Sequence, residues 1–268
     1  MRRCLRSLTI TASLLVSTGA MALDHGYRDY AALLGRHVHW IAGGHASSVD
    51  YAALKRDGTA LEQVLAAFSA VTPGQFDAWE RSRQMAFLIN AYNAFTLQLV
   101  LSGYPDLKSI RELGSLLRSP WKRPFFDLLG AQRNLDWIEH DRLRPVYGDP
   151  RVHFAVNCAS VGCPALRPEP YAAAQLDQQL NDQQRRFLTD RTRNRFSAGD
   201  GTLHVSQIFK WFAEDFTTAA GGGLKQWLAG HAALLTDNAA DRERVERGDF
   251  RLDHLSYDWS LNGRDNQR

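Results

Sequence analysis

The sequence predicts an α+β fold, a mostly helical single domain carrying a small sheet. Three observations lead there. Helical apolar spacing recurs along the chain while strand-like runs are short and scattered, so the two do not alternate as in a doubly wound sheet. Apolar residues make up 44% of the 268 and charged ones 23%, enough to bury a sizeable core and too apolar for disorder. No Pro/Gly/Ser-rich linker divides the chain and no internal repeat appears, which argues for one unit rather than an array.

The N-terminal residues 1–22 read as a signal peptide. Arg2, Arg3 and Arg6 give a basic start, Leu8 to Val16 a short apolar run, and Ala20-Met21-Ala22 the small-x-small pattern of a cleavage site. The run falls short of the roughly 18–20 residues that cross a bilayer. The expected product is therefore residues 23–268, one globular domain with no membrane span, periplasmic or secreted. Cys4 leaves with the peptide. Those three arginines also account for the whole formal charge of +3, so the mature balance is zero. Arg185, Arg186, Arg191, Arg193 and Arg195 are interspersed with Asp182 and Asp190, a solvated face rather than a nucleic-acid groove.

Asp77 to Ser102 predicts a helix whose apolar residues surround nearly its whole circumference, hence a central one, with Asn90 and Asn93 on one face and Gly103-Tyr104-Pro105 as its stop. Leu135 to Leu143 predicts a shorter helix carrying Glu139 and His140, with Asn134 as its cap. Beyond Pro145 and Gly148-Asp149-Pro150, residues 151–157 read as a strand. Tyr171 to Asp190 predicts an amphipathic helix, and Arg195 to Val205 a hairpin turning at Gly199-Asp200-Gly201. Two further helices, Gln207 to Phe216 and Leu224 to Leu235, and a strand from Asp253 to Leu261 complete the chain.

Cys158 is the residue most able to carry chemistry. It follows an apolar strand where the chain turns and can enter a helix, a junction that aims a thiol and favours its thiolate, with small neighbours Ala159, Ser160 and Gly162. Three readings stay open on the residues alone: a nucleophile, a disulfide or redox pair with Cys163, or a structural thiol. A nucleophile needs a base at about 3 Å. Five strand residues would separate the Cα atoms of His153 and Cys158 by about 16 Å, so His153 reads as a binding or positioning residue. His140 is better placed once the chain folds back at Pro145 and Gly148. Asn93 and Asn157 are candidate substrate-binding groups, Asn93 also as orienter or oxyanion donor, and amides near Ala159 are candidate oxyanion donors. His37, His39 and His45 lack a companion carboxylate at metal-binding spacing, and C-x₄-C is a poor zinc motif, so neither a metal nor another cofactor is expected.

Several blocks occur in order: Phe87-Leu88-Ile89-Asn90-Ala91-Tyr92-Asn93-Ala94, Ile138-Glu139-His140, the run from Asp149 to Cys158, Cys163-Pro164, Ile208-Phe209-Lys210-Trp211-Phe212 and Tyr257-Asp258-Trp259-Ser260-Leu261. Together they resemble the domain of unknown function 547 family across nearly the whole mature chain. That family is similar in its Cys/His/Glu content to papain-like thiol hydrolases, although here the histidine precedes the cysteine. The resemblance implies a papain-like arrangement with Cys158 as nucleophile, His140 as base and Glu139 as supporting acid. The expected function is a cysteine-dependent hydrolase or acyl transferase acting on a small-molecule or peptide-like amide or thioester. The alternative is a non-enzymatic envelope binding or assembly module, engaging a protein partner, with Cys158 and Cys163 bridged.

Overall fold

A computed structural model describes residues 23–115 and 118–264 of the protein. The expected signal peptide and Cys4 lie outside them. The chain enters through α1 (Arg28–His37), whose Leu33 and Leu34 are buried, and a hairpin of β1 (Val38–Ile41) and β2 (Ala46–Val49) with Val38 opposite Val49. Asp50 caps α2 (Tyr51–Arg56) by accepting the Ala53 N–H, and α3 (Gly58–Ser69) follows. A Thr72/Gln75 capping box with proline in the first turn starts α4 (Pro73–Asp77).

The central helix is α5 (Arg81–Leu101), buried almost all round from Met85 to Val100 as its apolar distribution predicts. It is the axis of the larger core, against which α1, α3 and the hairpin of β3 (Phe126–Leu128) and β4 (Ala131–Arg133) pack. The predicted helix at 135–143 is found with different winding. Residues Trp137–Tyr147 form a π-helix that runs through Pro145 and stops at Gly148, whose φ of 62° is the left-handed conformation glycine adopts without strain.

The strand expected at 151–157 is instead one helical turn, α6 (Val152–Ala155), followed by extended backbone. Asp149 and Pro150 are the reason. The Asp149 carboxylate accepts the Arg151 N–H, its carbonyl accepts that of Val152, and proline presets a helical φ. Tertiary burial then outweighs the β preference of Val152 and Phe154: Val152 and Ala155 face the larger core, while Phe154 enters a second one.

That second core is built by α7 (Leu176–Leu188), β5 (Arg195–Ser197), β6 (Thr202–Val205), α8 (Ile208–Trp211), α9 (Ala213–Ala220), α10 (Leu224–Ala229), α11 (Ala232–Leu235), α12 (Ala239–Glu246) and β7 (Arg251–His254). The helices expected at 207–216 and 224–235 are each found as two, broken at Phe212 and Gly230-His231. β5 and β6 form the predicted hairpin, and β7 joins β6 in parallel, three strands in all. The closing strand is shorter than expected and lies earlier, after which residues 255–261 run extended along the site. The architecture is thus the mostly helical α+β single domain that the periodicity predicts, and among the described residues no helix is long and apolar enough to cross a membrane.

Candidate functional site

Where the two cores meet, a cavity of about 200 Å³ opens to solvent. The π-helix supplies Asp136, Glu139 and His140 to its wall, α6 supplies His153, the following loop Cys158 and Cys163, and α8 with the C-terminal segment supplies Trp211, Tyr257 and Trp259. In an α-helix, neighbours such as Glu139 and His140 diverge by about 100°. The wider winding of a π-helix turns successive residues through a smaller angle, and both face the same space.

His153 is held from two sides. Its side chain is fully buried, stacked on Phe212 with ring centroids 3.9 Å apart, and its Nε2 lies 2.6 Å from Asp215 Oδ2. Burial by itself would raise the Asp215 pKa. Hydrogen bonds from His153 and from the bidentate Arg144 guanidinium (2.6 and 3.0 Å) outweigh it and hold the carboxyl well below the usual range. An ionised carboxylate only accepts, so the proton sits on Nε2. Among the described residues Nδ1 has no hydrogen-bond partner, and Glu139 Oε1 stands 4.0 Å from it, beyond hydrogen-bond range.

His140 is differently placed. It is exposed at the rim, and its Nδ1 accepts a 2.8 Å hydrogen bond from Arg144 Nη1, which can only donate. Its Nε2 stands 4.0 Å from Asp136, whose pKa is raised by partial burial against the opposing pull of His140. Tyr92 is fully buried and hydrogen-bonded to Glu139, and desolvation first, then the neighbouring carboxylate, raises its pKa well above the usual range.

Cys158 is half-buried and forms a disulfide with Cys163, with Cα atoms 6.1 Å apart. Its sulfur lies 3.0 Å from Ser160 Oγ and 3.1 Å from the Tyr257 hydroxyl, a phenol kept neutral chiefly by burial. No helix begins here, so the expected help from a helix dipole is absent: the chain instead makes a tight loop in which Ala159 takes a left-handed φ of 60°. Its amides are also largely committed. Ala159 N–H donates to Asn157 Oδ1, Val161 and Gly162 to the carbonyls of Ser260 and Asp258, and Cys163 to that of Ser160. The expected oxyanion donors near Ala159 are therefore engaged, and the Cys158 N–H, 2.8 Å from the Cys163 sulfur, is the one facing a weak acceptor.

Asn93 and Asn157, expected at the substrate, stand behind the wall and hold up the loop. Asn93 donates to the Ala155 carbonyl (3.0 Å) and accepts the Asn157 N–H (2.8 Å), closing on the backbone as a neighbouring strand would. Asn90, one turn away, clamps Tyr171 in the same manner. Asn157 then donates to the Pro164 carbonyl, joining the two ends of the cysteine loop.

The order in which central helix, Glu-His helix, capped turn and cysteine loop follow one another is the order of the family blocks in the sequence. Residues 76–188 match the model of a protein family of unknown function, DUF547. The DUF547 segment contains α5, the π-helix, α6, both cysteines and α7, and so every candidate site residue named from the sequence. It ends before the aromatic blocks at 208–212 and 257–261, which the sequence reading had included. No curated protein and no solved structure matches the chain.

Of two residues that spacing does not flag, Asp215 lies outside the matched segment and Arg144 inside it. Asp215 reads in sequence as surface support on an aromatic helix, Arg144 as an ordinary helical arginine. What separates them is that Asp215 on α9 holds both Arg144 of the π-helix and His153 of α6, contacts across 71 and 62 residues that no spacing rule reports, while Arg144 also reaches His140 one turn before it.

Proposed function

We propose that the protein is a periplasmic or secreted cysteine-dependent hydrolase or acyl transferase acting on a peptide-like amide or thioester. The observation that carries this reading is the meeting of Cys158, His153 and Glu139 on one cavity, with Nδ1 of His153 free while Nε2 is pinned by Asp215. A base whose far nitrogen is oriented by a carboxylate and whose near nitrogen is unoccupied is the arrangement a nucleophilic thiol requires. This favours His153 over His140 as the base, because the nitrogen of His140 that accepts is already taken by Arg144. His140 and Glu139 then shape the field of the cavity. Export rests on the basic, apolar and small-residue pattern of residues 1–22, and a disulfide suits an oxidising compartment.

The reaction begins with the bridge opened by a dithiol reductant, which becomes a disulfide as Cys158 and Cys163 become thiols. The Tyr257 hydroxyl, 3.1 Å from Sγ and itself accepting the Ser160 O–H, stabilises the thiolate by donating to it. Sγ attacks the acyl carbon while its proton passes to His153 Nδ1. The Cys158 N–H, released from the Cys163 sulfur, serves the developing oxyanion. Collapse breaks the C–N or C–S bond, His153 returns the proton to the leaving group, and water or another nucleophile takes the acyl group from sulfur.

The test is turnover of a panel of peptide amides and thioesters by protein reduced with dithiothreitol. Cys158→Ala abolishes it, His153→Ala lowers kcat by roughly 10²–10⁴-fold, and His140→Ala lowers it far less. Full activity of the cysteine variant overturns the reading. The disulfide itself favours a second one, a non-enzymatic envelope module in which the bridge is permanent and the half-exposed Trp211 meets a protein partner. That reading requires a bridge resistant to mild reductant and no turnover under any condition.

A further inference from the structure

We propose that the cavity holds a subsite for a primary ammonium group, seated against Glu139 and His153. This deepens the reading above by naming a substrate class, an amine-bearing molecule, and rests on that reading only for the use made of the amine; binding stands on its own.

The charges in the wall are of one sign. Asp136 and Glu139 line the cavity, and among the described residues no lysine or arginine does. Behind the wall, Arg144 acts on Glu139 only through space, its hydrogen bonds being spent on Asp215 and His140, and Lys122 stands near Asp136. Glu139 is buried, with a side chain 9% exposed; Tyr92 is hydrogen-bonded to it, and the His153 ring comes to 4.0 Å. A carboxylate sunk in a wall with no guanidinium or ammonium in contact is costly in an empty site and favourable to a cation that replaces the lost water.

A second observation points the same way. His153 Nδ1 is fully buried and has no partner, which folded proteins rarely tolerate. With Nε2 holding the ring proton against Asp215, Nδ1 of the neutral ring is an acceptor. It stands 4.0 Å from Glu139 Oε1, too far for the two to bond each other but spaced so that one donor at about 2.8 Å from each satisfies both. A group carrying several N–H bonds and a positive charge meets both acceptors at once. A hydroxyl meets only one of them as donor and brings no charge, and a carboxylate is repelled.

The remainder of the wall suits what would follow the ammonium. Tyr92, Trp121, Phe212, Tyr257 and Trp259 line it, and aromatic rings attract a cation by their faces and cover an alkyl stem. The amine shares the cavity with the Cys158 sulfur. Once His153 has returned the first proton to the leaving group, Nδ1 takes a proton from the ammonium, the neutral amine attacks the acyl carbon, the C–S bond breaks as the C–N bond forms, and the second amine proton passes to the departing thiolate.

The experiment titrates the full chain, in its bridged form, with n-butylammonium chloride, n-butanol and sodium butyrate at constant ionic strength, read by calorimetry and by the fluorescence of the cavity tryptophans. n-Butylammonium saturates at least about tenfold more tightly than n-butanol, and butyrate does not bind. Glu139→Gln weakens the amine by about tenfold or more and leaves the alcohol unchanged. Equal binding of amine and alcohol by the native chain overturns the inference, as does a Glu139→Gln variant of unaltered melting temperature that retains full amine affinity. The native-chain comparison decides alone if the variant fails to fold. Amine binding without any acyl transfer after reduction keeps the subsite and removes the enzymatic reading, whereas turnover with water and no amine binding does the reverse.

Discussion

Two carboxylates on opposite sides of one buried ring govern His153. Asp215 fixes its orientation and tautomer at 2.6 Å, and Glu139 faces the nitrogen left over. Replacing Asp215 by Asn keeps the shape but lets the amide offer an N–H, which competes for the same ring nitrogen and turns the free acceptor elsewhere. The expected outcome is a fall in kcat of about 10²-fold or more with KM little changed, measured on the reduced enzyme. The same carboxyl predicts an acid response. Its folded pKa is depressed below that of the unfolded chain, near 3.9, so as pH falls the unfolded state takes the proton first. The stabilisation is therefore complete at neutral pH and down to about pH 5, and drains away as pH drops through the folded-state pKa. Melting temperatures of native protein and Asp215→Asn should differ most at neutral pH and draw together progressively as pH falls below about 5 toward the folded-state pKa, and a constant gap would contradict the assignment.

Helix α5 acts through two polar residues in an otherwise apolar surface. Asn90 and Asn93 each give one N–H and one carbonyl to a passing backbone segment, so the helix holds irregular chain in register as a sheet edge would. Because both asparagines are buried, their partners have no water to turn to. Asn93→Ala leaves the Asn157 N–H and the Ala155 carbonyl unpaired and should cost about 2–4 kcal/mol, read as a shift in denaturation midpoint at constant slope. Asn93→Leu, of similar volume, should not restore it. The Cys158 loop hangs from the same bonds, so alkylation of the reduced thiol should also lose its single-phase kinetics in this variant.

Two hydrophobic cores share one turn of helix, and the cavity is the seam between them. α6 sends Val152 and Ala155 into the larger core and Phe154 into the smaller, while His153 is left facing the gap. Phe154 stacks on Phe187 at 5.0 Å and touches Phe209, Phe216 and Trp227, so it anchors the second core to the first. Phe154→Ala should cost about 3–5 kcal/mol and split the single unfolding transition into two, seen by calorimetry, since it removes the link while leaving each core largely intact.

Burial of the central helix, the amphipathic helix before the hairpin and the hairpin itself are legible in the sequence because each is decided by local periodicity or by turn chemistry within a few residues. So is the cysteine loop as the place of interest, since small residues, two thiols and Pro164 are adjacent in the chain. The resemblance to DUF547 is likewise carried by local blocks. What tertiary structure decided is everything that depends on reach. An extended spacing sets His153 far from Cys158, but a helical turn driven by Asp149, Pro150 and the pull of two cores brings both to one wall. Spacing likewise favours His140, until Arg144 fills its acceptor nitrogen. Asn93 and Asn157 carry the chemistry of binding groups but are consumed by backbone that only folding places beside them. Asp215 gains its role from a segment 62 residues away in the chain. Short-range order follows from composition and period, whereas the identity of a partner across a cavity follows from which surfaces must be buried together.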